Sequence, residues 1–145
     1  MTTRDHERLA GVHPELQHIV NLVLSGMEAY GHPMFVIEGL RTLERQKVLF
    51  AQGRTTPGHI VTYCDGIKNP SHHQVRADGF GHAVDCAFVD DPQTPETVET
   101  WSEKSPWRVY GEMAKWLGCD WGGDWPSRKT DRPHIELPFK DVRNV

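Results

Sequence analysis

Two stretches of the 145-residue sequence concentrate side chains that can do chemistry. Residues 71–85 contain three histidines and two aspartates, and residues 131–137 contain an aspartate, a histidine and a glutamate. Imidazole and carboxylate groups are ligands that zinc accepts, and a carboxylate beside a bound metal can act as a general base. These residue types therefore indicate a metal site with hydrolytic chemistry.

The segment from His82 to Phe88 predicts a strand, on which side chains alternate between two faces. One face is mostly apolar and carries His82, Val84, Cys86 and Phe88. The other carries Asp85 between two alanines, whose small side chains leave space above the strand for a ligand. An aspartate within a strand is unusual, and a buried carboxylate needs a partner, which a metal can be. The same alternation directs His82 away from a metal bound by Asp85.

The segment from Asp131 to Leu137 repeats this arrangement. Ile135 and Leu137 are expected on the core face, and His134 and Glu136 on the other. Asp131 stands three residues before His134, where it can serve as a general base without being a ligand. Two histidines and one aspartate leave zinc with positive charge and an open fourth position for water. The residues alone leave open an alternative, a buried aspartate satisfied by backbone or arginine with histidines scattered by chance.

The elements that would position these residues predict one α+β domain over residues 1–145. Apolar residues recur at helical spacing from His13 to Tyr30, and Gly31 follows as a stop. The other predicted elements are a strand at 33–40, a helix capped by Thr42 and running to Gln52, a helix opened by Ser105-Pro106 and closed by Gly118, and a strand at 134–137. Residues 54–81 are expected to form a long loop, with room for a short hairpin, and residues 90–103 a second loop. A loop as long as the first is usually functional or mobile.

Composition and charge exclude several classes of protein. The net charge is −4 with no cluster of Lys or Arg, so no nucleic-acid partner is expected. No apolar run reaches the roughly 20 residues of a membrane span, and the polar residues at the start of the sequence predict no signal peptide. Three widely spaced cysteines do not form a disulfide framework, so we expect reduced thiols in a protein made in the cytoplasm.

The motifs resemble those of a family of zinc peptidases that includes D-Ala-D-Ala carboxypeptidases and dipeptidases. The family pattern is S-x-H, then G-x-A-x-D on a strand, then a carboxylate three residues before a final histidine. Here Ser71 to His73, Gly81 to Asp85 and Asp131 to His134 match its three parts. The likeness extends from about Glu38 to Leu137. It is greatest to the phage endolysins of the family, which cleave the L-alanyl-D-glutamate bond of peptidoglycan.

The resemblance implies one zinc ion held by His73, Asp85 and His134, with Asp131 as the catalytic carboxylate. One departure concerns the first ligand. In many members it lies seven residues before the aspartate, a position that Asp78 occupies here, whereas His73 lies twelve before it. A short insertion from Gln74 to Asp78 reconciles the two patterns, and His72 stays open as the alternative ligand.

Three further residues enter through the resemblance. Arg41 and Gln46 match a segment in which an arginine and a glutamine line the cleft. Arg41 would stabilise an oxyanion or bind a substrate carboxylate, and its alternative role is a surface ion pair. Trp125 would wall the cleft or, alternatively, belong to the core. The implied fold is Hedgehog-like and D-Ala-D-Ala-peptidase-like, a small antiparallel sheet flanked by helices with the zinc cleft on one sheet face.

The function that follows is a monomeric endolysin that hydrolyses the L-Ala-D-Glu bond of the peptidoglycan stem peptide. Such an enzyme would be held in the host cytoplasm and would act on the cell wall after release. A D-Ala-D-Ala carboxypeptidase or dipeptidase would use the same site, and a non-catalytic peptidoglycan-binding module would share the fold. A lysozyme with Glu38 as its acid lacks a convincing second carboxylate.

Overall fold

Helices and short strands alternate irregularly in the computed structural model, which describes residues 1–89 and 106–138. The helices are α1 (Thr3–Arg8), α2 (Pro14–Ala29), α3 (Leu43–Ala51) and α4 (Trp107–Trp116). The strands are β1 (Met34–Glu38), β2 (Ala83–Phe88), β3 (Asp120–Trp121) and β4 (His134–Glu136), and a 3-10 turn (Gly122–Asp124) follows β3. The predicted loop at 90–103 and the polar tail lie wholly or largely outside the described residues.

The four strands form one antiparallel sheet in the order β1-β2-β4-β3. The sheet is small and mixed with helices, which confirms the predicted α+β class. Strands β2 and β4 are neighbours, with Asp85 opposite His134, although these two residues are 49 positions apart in the sequence. This register brings the two chemically rich segments of the sequence side by side on one face of the sheet.

The opposite face of the sheet belongs to the core. The buried residues of β2 and β4 on this face are Val84, Cys86, Phe88 and Ile135, and they join one apolar cluster with α2 and α4. From α2 the cluster takes Leu16, Ile19, Val20, Val23, Leu24 and Met27, as its helical periodicity predicts. The alternation predicted for β2 is therefore confirmed, and Asp85 points away from the core.

Helix α1, which has no counterpart among the elements predicted from the sequence, covers the free edge of the sheet. Strand β1 lies at that edge, where unpaired backbone groups invite association. The Asp5 Oδ1 accepts a hydrogen bond from the Val36 amide (2.8 Å), and Arg8 Nη1 donates to the Val36 carbonyl (2.7 Å). Asp5 is 2% exposed and also accepts from the Thr2 amide and hydroxyl in a capping box. Two side chains thus replace a neighbouring strand.

We expect Asp5→Ala to lower the free energy of unfolding by about 2 kcal/mol at pH 7, because it leaves the buried Val36 amide without an acceptor. Burial opposes ionisation of Asp5, but hydrogen bonds from Thr2 and Val36 hold its pKa below the ordinary value. The contribution of the charge is therefore complete above pH ~3.9 and is lost as the pH falls through the lower native pKa. Urea titrations from pH 7 to pH 3 measure both effects.

The control is Glu7→Ala, an exposed position in the same helix. If Glu7→Ala lowered the free energy of unfolding as much as Asp5→Ala does, any substitution in helix α1 would have this effect. The Asp5–Val36 hydrogen bond would then have no specific role.

The segment from Gly53 to Gly81 contains no strand, so the short hairpin admitted by the sequence does not form. An isolated bridge joins Gln52 and Thr56, and another joins Val12 and Gly81. The three cysteines are free thiols, and Cys86 and Cys119 are buried. Among the described residues, no helix has the length and hydropathy needed to cross a bilayer.

Candidate metal centre

Three side chains from separate elements converge above the sheet. They are His73 from the turn that follows Ser71, Asp85 from β2 and His134 from β4, and together they form a group that could hold a metal ion. His73 Nε2 lies 3.2 Å from His134 Nδ1, and the Asp85 Oδ1 lies 3.3 Å from each of these nitrogens. Ligand atoms that are 2.0–2.1 Å from a tetrahedral zinc ion are about 3.3 Å apart. The spacing of the three atoms therefore fits one face of a zinc tetrahedron.

The negative charges and the hydrogen bonding of the site also favour a bound cation. The Asp85 Oδ1 is buried and has no hydrogen-bond partner among the described residues, although it accepts up to two. Burial opposes protonation of His134, yet the neighbouring carboxylates of Asp85 and Glu136 raise its pKa to about 10. The carboxylate of Asp131 adds further negative charge 3.8 Å from His134 Nδ1. A divalent ion would supply the positive charge that these groups favour.

The turn at residues 71–74 aims His73 at this group. The Ser71 hydroxyl accepts from the His73 amide, and the Gln74 side chain bridges the Ser71 amide and the Gly66 carbonyl. The His73 Nδ1 lies 2.9 Å from the Gly39 carbonyl, to which it donates, so the Nε2 lone pair faces the other two ligand atoms. His72 points elsewhere, to Glu136. Of the two adjacent histidines, the structure brings His73 to the cluster.

Asp131 lies at the rim of the same group, on the turn that leads into β4. Its side chain is 36% exposed, and burial together with the charge of Asp85 raises its pKa to about 6. It is not one of the three clustered ligands. A carboxylate in this position can accept a proton from a water molecule held between it and the ligand atoms.

Three residues that were not predicted to belong to the site hold this turn. Tyr110 donates its hydroxyl hydrogen to the Pro133 carbonyl (2.6 Å), and Trp121 Nε1 donates to the Arg132 carbonyl (2.7 Å). A Cβ on Gly122 would lie 2.3 Å from the Asp131 carbonyl oxygen, so the turn needs glycine there. The buried tyrosine on α4 was a detectable signal, because a buried phenol requires an acceptor.

Arg41 borders the site through a network of its own. It forms a bidentate pair with Glu38 (2.8 and 2.9 Å), donates to the Gln46 Oε1 (2.9 Å) and approaches the Asp85 Oδ2 to 4.0 Å. The Arg41 side chain is only 10% exposed. Arg41 does form an ion pair, but the pair is not at the surface, as the alternative role required. Both carboxylate oxygens of Glu38, the acid that a lysozyme would need, accept hydrogen bonds from the Arg41 guanidinium.

Gln46 does not line the cleft in the way the resemblance implied. It is completely buried, and its amide nitrogen donates to the Cys64 carbonyl (2.7 Å) and the Thr62 hydroxyl (3.2 Å). A side chain with no exposed surface cannot touch a substrate, so the prediction that Gln46 binds substrate is wrong. Gln46 instead supports Arg41, from which its Oε1 accepts a hydrogen bond. Gln46 thereby ties Arg41 to the long loop.

Trp125 stands beside the metal-facing group. Its ring centroid is 4.8 Å from that of His134, and the residue is half-buried. The tryptophan of this segment that belongs to the core is Trp121, which is 5% exposed. His82 is excluded from the cluster, as its strand position predicts, and pairs instead with Asp78 (2.6 Å).

Comparisons with known proteins identify the family of the chain. A model of a peptidase family M15 group described as D-alanyl-D-alanine carboxypeptidase matches residues 67–137, which include the three clustered residues and Asp131. The peptidoglycan L-alanyl-D-glutamate endopeptidase CwlK of Bacillus subtilis is 33% identical over 126 residues, covering 87% of this chain and 73% of CwlK. The chain belongs to the M15 peptidase family. The resemblance read from the sequence is thereby confirmed.

Solved structures show the same fold in this M15 peptidase and its relatives. The L-Ala D-Glu endopeptidase ChiX of Serratia marcescens superposes with a TM-score of 0.65 at 26% identity, covering 98% of this chain and 92% of ChiX. The vancomycin-resistance D,D-pentapeptidase VanY, solved in complex with Zn(II), has a TM-score of 0.58 at 13% identity, covering 92% of this chain and 77% of VanY. The second likeness is one of fold alone.

Proposed function

We propose that this M15 peptidase is a zinc-dependent endopeptidase that hydrolyses the L-alanyl-D-glutamate bond of peptidoglycan stem peptides. The observation that carries the proposal is the cluster of His73, Asp85 and His134, with ligand atoms 3.2–3.3 Å apart and Asp131 beside them. A zinc ion held by the three residues would act as a Lewis acid and bring the pKa of a bound water to roughly 7. The names of CwlK and ChiX support the choice of bond.

The residues around the cluster would divide the remaining work. Asp131 takes a proton from the attacking water and delivers it to the leaving nitrogen, so that the C–N bond breaks and water adds to the carbonyl carbon. Arg41, fixed by Glu38, faces the cleft with a guanidinium that can stabilise negative charge or bind a substrate carboxylate. Trp125 provides an apolar wall beside His134.

A second function, removal of the terminal D-Ala by a D,D-carboxypeptidase, is favoured by the description of the matching family model. The same residues would perform that reaction, so the choice depends on where the peptide lies in the cleft. A non-catalytic binding module is disfavoured by Asp131, since a structural site has no use for a general base. The role in lysis from inside a host cell follows from the resemblance to phage endolysins.

Digestion of purified peptidoglycan tests the proposal. The protein is loaded with one equivalent of zinc and incubated with and without a chelator, and the products are identified by mass spectrometry. We expect chelator-sensitive formation of new D-Glu amino groups and of L-Ala carboxyl groups attached to the glycan. Loss of terminal D-Ala would establish the carboxypeptidase instead. Intact peptidoglycan with zinc bound would support the binding module, and a protein that binds no zinc would overturn the metal site.

A further inference from the structure

Glu136 is a buried acid that the proposed mechanism does not use. Its side chain is 8% exposed, and both carboxylate oxygens are engaged. Oε1 lies 2.7 Å from His134 Nε2, and Oε2 contacts His72 Nδ1. Because burying a carboxylate is costly unless it is paired and hydrogen-bonded, a double contact of this kind indicates a structural or functional purpose.

The geometry at His134 shows what that purpose can be. Its Nδ1 faces the other two ligand atoms, whereas its Nε2 faces the Glu136 carboxylate. An ionised carboxylate only accepts hydrogen bonds, so the Nε2 must carry a hydrogen, and Nδ1 is the nitrogen left to give a lone pair to a metal. His73 uses the opposite nitrogen, and its outer partner is the neutral Gly39 carbonyl. Of these two histidines, only His134 has a charged outer partner.

His72 connects this support to the turn that delivers His73. The backbone of His72 accepts from the His82 amide (2.8 Å) at the start of β2, which fixes its place beside the sheet. In the register of β2 and β4, Glu136 stands opposite Ala83, whose small side chain leaves room on this face. The turn that presents one ligand thus also holds the carboxylate behind another.

We propose that Glu136, held in place by His72, is a positioning residue that fixes the ring of His134 for metal binding through Nδ1 and strengthens its bond to the metal. The inference rests on the proposed function, because it assigns His134 as a zinc ligand. His72, the alternative first ligand in the sequence, then does not bind the metal but contacts Glu136, which contacts the ligand His134. His134, Glu136 and His72 form a chain that leads from the ligand cluster to a histidine side chain that is 28% exposed.

The test measures zinc affinity by competition with a chelator, in the wild-type protein and in Glu136→Ala, Glu136→Gln and His72→Ala. Loss of an outer-shell partner typically weakens metal affinity about 10–100-fold, and we expect this for Glu136→Ala. Glu136→Gln should lie between wild type and Glu136→Ala, because its amide oxygen still accepts from Nε2–H but carries no charge. A double variant that combines Glu136→Ala with His72→Ala is measured as well. His72→Ala should add little to the loss of zinc affinity caused by Glu136→Ala, because His72 acts through Glu136.

The matched control is Asp78→Ala, which removes the carboxylate of another histidine pair, Asp78–His82, outside the ligand cluster. It should leave zinc affinity within about twofold of wild type, well below the 10–100-fold effect expected at a partner of a ligand. A nitrogen-15 NMR spectrum of the histidine rings, recorded for the zinc-loaded wild type and Glu136→Gln, should show His134 bound through Nδ1 and protonated at Nε2. Should Glu136→Ala fail to fold, Glu136→Gln and His72→Ala decide.

The outcomes separate the two proposals. A wild-type protein that binds one zinc while both Glu136 variants bind it equally well would overturn the positioning role alone, as would binding of His134 through Nε2. Additive losses in the double variant would show that His72 acts independently of Glu136 and would also overturn it. If the wild-type protein binds no zinc, the proposed function fails together with this inference.

Discussion

Replacing Asp131 with asparagine is expected to lower kcat on peptidoglycan by about 10²–10⁴-fold, the usual contribution of a general base, while one zinc ion stays bound. Asparagine has almost the same shape as aspartate but cannot accept the proton of the attacking water. Zinc binding should persist because Asp131 is outside the group formed by His73, Asp85 and His134. The measurements are the rate of appearance of new amino groups and the zinc content of the purified variant.

Asp124→Asn provides the matched control for this substitution. Asp124 belongs to the same irregular segment, but it is exposed and pairs with Lys115 at 2.8 Å. Its variant should hydrolyse peptidoglycan at the wild-type rate. Full activity in Asp131→Asn would remove Asp131 from the mechanism, and loss of zinc from that variant would instead make it a ligand.

The faces of β2 and β4 could be predicted from the sequence because strand geometry alone decides them. Once residues 82–88 are extended, the position of Asp85 opposite the apolar side chains follows from a period of two. The same holds for His134 and Glu136 on β4. The sequence could not show that these strands are neighbours. That pairing joins segments far apart in the chain and depends on the packing of the whole sheet.

Supporting contacts were missed because they depend on tertiary neighbours that no local pattern encodes. Gln46 has the polar character of a cleft residue, but the long loop covers it and leaves it completely buried. Helix α1 is only six residues long, and its stability comes from Asp5 and Arg8 on the edge of β1 rather than from an apolar periodicity. Short elements of this kind have little helical preference of their own.

The choice between His72 and His73 depended on a turn whose shape the sequence does not specify. The longer spacing to Asp85 is absorbed because the inserted residues fold back on themselves. The Arg76 amide donates to the Phe80 carbonyl, and Gly79 takes a positive φ of 88° between them. The His82 amide then returns to the His72 carbonyl, so the insertion leaves His73 beside β2.

Asp85→Asn tests the metal centre itself and should have the largest effect on zinc affinity. We expect a loss of more than about 100-fold, beyond the 10–100-fold that is typical when a partner of a ligand is removed. The neutral amide keeps the size of the side chain but removes the negative charge of the buried Oδ1, which is 3.3 Å from both histidine nitrogens. Hydrolysis should disappear with the zinc.

Thermal unfolding with and without zinc gives a second measure that does not depend on activity. A ligand that binds only the folded state stabilises it by RT ln(1 + [L]/Kd), about 2.7 kcal/mol at a hundredfold excess over Kd. The wild-type Tm should therefore rise when zinc is added, and the Tm of Asp85→Asn should not. Asp78→Asn is the control, because Asp78 holds the sequence position of the first ligand in compact relatives yet pairs with His82 here. If Asp78→Asn abolished the zinc-dependent rise in Tm and Asp85→Asn kept it, the metal ligand would be Asp78 in the inserted segment and not Asp85 on β2.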